Sequence, residues 1–83
     1  MNNNENEILG LGFTEGIKYV KMLESKKTEF DNEHNQKIYS SMLRLANDNE
    51  PVDLLTVGND LKKLGFFDQI GGFKYLVWLS QLT

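Results

Sequence analysis

Apolar residues recur along this chain at helical spacing, and the residues between them mark where each helix should stop. Ile38, Met42, Leu45 and Ala46 fall at i, i+4, i+7 and i+8, a stripe widened by Tyr39 and Leu43. That stripe predicts the longest helix, over 32–47, with Asp31 as its cap. The turn-forming run Asn47-Asp48-Asn49-Glu50-Pro51 then breaks it. Val57, Leu61 and Leu64 recur at i, i+4 and i+7 and predict a helix over 56–64. Lys62 and Lys63 lie in its last turn, where cations favour the negative end of the helix dipole. Gly65 supplies a left-handed stop, and Phe66 is the apolar residue that folds back onto the helix. A second stop, Gly71-Gly72, opens a final helix over 72–82.

Upstream the pattern is weaker. Ile17, Val20 and Leu23 mark the inner face of a helix over 15–25. Thr14 is its expected N-cap, and Glu15 suits the positive end of the dipole. A short first helix is expected over 4–11, with Gly10 and Gly12 at its end. Residues 1–7 are asparagine-rich and acidic and read as a flexible polar tail, leaving 8–83 as one helical domain. No window alternates apolar and polar residues for long enough to suggest a strand. The fold class is therefore all-α, a compact bundle of about five short helices. Its expected core is Ile17, Val20, Leu23, Phe30, Ile38, Tyr39, Met42, Leu45, Val57, Leu61, Leu64, Phe66, Phe73, Leu76 and Val77.

The last helix is apolar all round. Phe73, Leu76, Val77 and Ser80 make one face, and Tyr75, Trp78, Leu79 and Leu82 make a second. Such a helix is normally buried on both sides, yet a small bundle has little room for a central helix. Either the second face packs on a partner or on following protein, or Trp78 completes the domain's own core. Trp and Tyr suit the first role because they bury a large area while keeping a polar handle.

Size and composition narrow the picture. A chain of 83 residues makes one small domain, which buries about 60 to 65% of the surface its unfolded state exposes. With 40% hydrophobic residues and no cysteine, it is too apolar for a disordered chain and has neither disulfide nor thiolate chemistry. No apolar run approaches the roughly 20 residues that span a bilayer, and no signal-peptide core is present. The net charge is −3, whereas a phosphate-gripping domain shows a basic patch or stripe. Lys18, Lys21, Lys26 and Lys27 cluster near one helix end and read as a solvated face. No direct nucleic-acid contact and no membrane contact are expected.

Catalytic constellations are missing from the sequence. His34 has no cysteine or second histidine at metal-ligand spacing. Asp48, Glu50 and Asp53 read as a solvated turn followed by a helix cap. Gly10-Leu11-Gly12 and Gly71-Gly72 lack the Gly-Lys-Ser/Thr ending of a phosphate loop. Ser40, Ser41 and Ser80 have no local base. The segment is expected to hold no catalytic residue, cofactor or metal.

The order of these features resembles the N-terminal domain of DnaB-type replicative DNA helicases of bacteria and phages. The matching pieces are Pro51-Val52-Asp53, Leu55-Thr56-Val57, Leu61 through Gly65, Ile70-Gly71-Gly72 and Tyr75-Leu76-Val77-Trp78-Leu79. Thinner matches upstream are Glu7-Ile8-Leu9-Gly10, Phe30, and Lys37-Ile38-Tyr39 through Met42. There are departures. Asn35 falls where many members carry histidine, and two residues are missing between Gly10 and Phe30. Gly58 replaces a usual alanine, at about 1 kcal/mol of helix propensity. Trp78 stands where a charged residue is commoner.

The resemblance implies a non-catalytic head that arranges subunits in a hexamer and receives primase or a helicase loader during DNA replication. It also implies a cytoplasmic setting, a helical hairpin beginning near Thr83, and an ATP- and Mg-dependent motor in residues outside this segment. Partners on that reading are other helicase subunits, primase and loader, and Tyr75, Trp78, Leu79 and Leu82 form the candidate partner face. Two rival readings use the same features. One is a free-standing phage or mobile-element protein that binds or blocks a helicase or primase. The other is the helicase-binding domain of a primase.

Overall fold

In the computed structural model, which describes residues 4–82, the apolar stripes become five helices and no strand among those residues. They are α1 (Asn4–Glu15), α2 (Ile17–Ser25), α3 (Glu33–Asn47), α4 (Leu54–Leu64) and α5 (Gly72–Ser80). The all-α reading holds. Helix α3 is central, packed by α1, α2 and α4, and α5 closes the body against α1 and α4.

Helix boundaries differ from expectation where tertiary contacts outweigh local signals. Helix α1 runs through Gly10 and Gly12 to Glu15. A Cβ at Gly12 would meet Met42 Sδ at 2.8 Å, so glycine here lets α1 lie close on α3. Thr14 is therefore inside α1 and not a cap; its hydroxyl donates to the Gly10 carbonyl at 3.4 Å. Gly16 separates α1 from α2 without a side-chain cap. The expected polar tail over 1–7 is also corrected, because Asn4 to Glu7 already belong to α1; its residues 1–3 lie outside the described residues.

Asn32, not Asp31, caps α3, its side chain accepting from the His34 and Asn35 N–H groups at 2.8 and 3.2 Å. Helix α4 begins two residues early because Asp53 and Thr56 form a reciprocal capping box. It ends as the sequence implies, with Gly65 left-handed and the Phe66 N–H donating to the Leu61 carbonyl at 2.9 Å. Helix α5 stops at Ser80.

Val20, Leu23, Phe30, Ile38, Tyr39, Met42, Val57, Leu61 and Leu76 are buried, with Ile17, Leu45, Phe66 and Phe73 partly buried against them. Leu9, Val52, Ala46, Ile70 and Leu79 complete the core. Two expected members lie outside it. Leu64 is 45% exposed because Phe66, folded back, takes the position beside α3, with the Lys37 ammonium over its ring. Val77 is 37% exposed on the outer side of α5.

A polar clamp ties α3 to α4. Arg44 Nη2 and Ser41 Oγ both donate to Asp60 Oδ2, at 2.6 and 2.5 Å. Burial pushes the Asp60 carboxyl up, but the Arg44 and Ser41 bonds outweigh that and hold it below its ordinary range.

The junction of α4 and α5 explains Gly58. The site is buried, and a Cβ there would collide with the edge of the Phe73 ring. Phe67 holds that ring edge-on at 4.8 Å, so it has little room to retreat. Propensity alone gives Gly58→Ala a gain of about 1 kcal/mol, whereas overpacking costs about 1–3 kcal/mol. Gly58→Ala is therefore expected to lower the midpoint of urea unfolding. A higher midpoint would mean that the ring yields freely.

Candidate docking face on the last helix

Helix α5 carries apolar residues on every side, so its neighbours decide which of them are covered. Leu76 and Leu79 point inward between α1 and α4 and are fully buried. Lys74, Val77, Trp78 and Gln81, at i, i+3, i+4 and i+7, form the outward stripe. Leu79 is thus removed from the expected partner face, and Leu82 is partly buried against the core. Trp78 is 46% exposed. Tyr75 lies between the two environments, its ring stacked on Trp78 with centroids 5.7 Å apart and planes at 25°.

Beneath the stack is a buried polar anchor. The Tyr75 hydroxyl donates to Asn35 Oδ1 at 2.7 Å. Asn35 is only 2% exposed. Its Nδ2 donates to Glu5 Oε1 at 2.9 Å and to Asn6 Oδ1 at 2.7 Å. The Glu5 carboxylate also accepts from the Asp31 and Asn32 N–H groups at 2.8 and 3.1 Å. One amide therefore joins α1, α3 and α5, and the carboxylate it touches fixes the loop entering α3.

The titration behaviour suits these roles. Burial raises the Tyr75 hydroxyl, and the Glu5 charge raises it further, so it stays a protonated donor. Burial also pushes Glu5 up, but the bonds from Asp31, Asn35 and Asn32 outweigh this and keep it ionised below its ordinary range.

Tyr75 and Trp78 line a shallow, mainly apolar groove of about 380 Å³ with Ile70, Gly71 and Lys74. Sequence reasoning missed those last three as site residues. The spacing held a signal, since Gly71 and Lys74 precede Tyr75 and Trp78 by one helical turn. Among the described residues no helix is long and apolar enough to cross a membrane.

Across residues 1–83 the chain matches the model of the DnaB-like helicase N terminal domain. It belongs to that family. The crystal structure of the N-terminal domain of DnaB helicase from Mycobacterium tuberculosis superposes with a TM-score of 0.84 at 26% identity. That match covers 92% of this chain and 56% of the other. Replicative DNA helicase DnaC of Bacillus subtilis is 45% identical over 42 residues, which is 51% of this chain and 9% of the relative. Replicative DNA helicase DnaB of Geobacillus stearothermophilus is 46% identical over 46 residues, 55% of this chain and 10% of the relative. The matched stretch thus spans about a tenth of the length of these curated relatives.

The Glu5 anchor gives a signed pH dependence. Its folded pKa lies below the unfolded value of about 4.3. Its stabilisation is therefore fully present above that value and is lost as pH falls through the folded pKa. Thermal unfolding of the native chain and Glu5→Gln should differ most near neutrality and converge on acidification. A stability difference that stays constant from neutral pH to about pH 3 would remove Glu5 as an ionised anchor.

Proposed function

We propose that this domain is a non-catalytic docking and assembly module of a replicative DNA helicase, and that a partner seats on the α5 groove. The observation that carries the reading is Trp78, a large aromatic left half exposed and stacked on Tyr75, whose own hydroxyl is held by the buried Asn35. Pre-ordered aromatic side chains bind with little further loss of rotamer freedom. Membership of the DnaB-like family supports the helicase context, and the names of the relatives supply it: they are replicative DNA helicases. On this reading the partners are other helicase subunits, primase or a helicase loader in the cytoplasm. ATP and Mg belong to a motor domain elsewhere in the parent protein.

The exposure of Trp78 favours a partner over the domain's own core as the reason for its presence. Trp78→Ala should change stability by less than about 1 kcal/mol, against the 3–5 kcal/mol typical of a core tryptophan. The same variant should no longer capture the cognate helicase subunits or primase in a pull-down. A loss of 3 kcal/mol or more, or capture at the native level, would refute the reading.

A further inference from the structure

Charge is unevenly distributed over this domain. Residues 16–28 hold Lys18, Lys21, Lys26 and Lys27 against Glu24 alone, a net of +3 in a chain of net −3. The remaining residues carry five cations against eleven acids, a net of −6. All four lysines are exposed. Lys18 and Lys21 share the outer face of α2 with Ser25, and Lys26 and Lys27 follow directly past the helix end. Among the described residues the one ion pair is Arg44–Asp60, so none of these lysines is neutralised by an acid at contact distance.

Lys27 argues against a merely solvated face. Its φ is 57°, and its N–H donates to the Glu24 carbonyl while the Thr28 N–H donates to the Leu23 carbonyl. This is the left-handed closure of a helix end, where glycine is the usual residue and asparagine the next. At every other positive-φ position among the described residues the chain has glycine or asparagine. A lysine that served only the helix dipole could stand at position 25 without the left-handed cost.

The chemistry of the patch selects its ligand. Lysines are compact point charges without the planar fork that arginine offers to phosphate. The aromatic neighbour Tyr19 is partly buried, which leaves no exposed platform for stacking bases. An extended polyanion would also meet the net negative remainder of the domain. Four charges along a helix of nine residues and its turn span about 15–20 Å, the reach of a short extended peptide. We infer that the outer edge of α2 receives an acidic peptide segment of a partner protein. This edge shares no residue with the α5 groove and does not rest on that groove's role.

The test is fluorescence anisotropy of a labelled Asp/Glu-rich peptide, with a single-stranded oligonucleotide of similar charge as the second probe. The native chain should bind the peptide at low ionic strength and release it progressively towards about 0.15 M salt. Lys18→Glu/Lys21→Glu should weaken binding about tenfold or more. Lys27→Gly should weaken it about two- to fivefold while raising the Tm by roughly 4 °C. Lys63→Glu, on α4, should leave it unchanged. Failure to bind the peptide, or tighter binding of the oligonucleotide, would overturn the inference. So would native peptide affinity in Lys27→Gly, or an equal loss in Lys63→Glu.

Discussion

A primary amide buried in a protein interior must have its hydrogen bonds satisfied, and the arrangement of this domain follows from how Asn35 meets that requirement. Its two functional ends face different helices. The carboxamide N–H groups reach α1, where an ionised Glu5 and the Asn6 oxygen accept, and the oxygen faces Tyr75 on α5. Apolar contacts alone are non-directional and would let α1 or α5 rotate about its axis. The Asn35 bonds fix both rotations, and with them the side of α5 that remains outside. Among buried side-chain polar atoms of the described residues, none lacks a partner, so the network rigidifies the bundle and leaves no unsatisfied group in it.

Much of the fold was legible from local spacing. The stripes of α3 and α4 and the stop at Gly65 depend on residues within two turns of one another, so sequence order carries them. The end of α1 was not legible, because Gly12 belongs in a helix only once Met42, thirty positions away, lies against it. Asp31 and Asn32 are both competent caps. Asn32 takes the role while Glu5 accepts the backbone N–H groups of both residues, a contact no local pattern signals. A helix that is apolar all round has no periodic minimum, so the sides of Leu79 and Val77 could not be assigned until α1 and α4 were in place. Tyr75 and Trp78 were legible as residue types, whereas Ile70 and Gly71 join their groove through the turn that precedes the helix.

The domain thus presents two surfaces of different chemistry. The α5 groove is apolar and held in shape from beneath, which suits a specific, partly desolvated contact. The α2 edge is cationic and solvated, which suits a salt-sensitive one that sets encounter and orientation. Both use residues that cost the isolated domain something: a half-exposed tryptophan in one case and a left-handed lysine in the other. The Asp60 clamp and the Phe73–Gly58 contact stabilise the scaffold that carries them.

The most direct measurement is a double-mutant cycle between Asn35 and Tyr75, using Asn35→Leu, Tyr75→Phe and the double variant in urea unfolding. If the buried bond fixes the position of α5, the two substitutions should be coupled by about 1 kcal/mol or more. Trp78 fluorescence should also shift in Asn35→Leu while the protein remains folded. Additivity within about 0.5 kcal/mol, with unchanged Trp78 emission, would contradict the account.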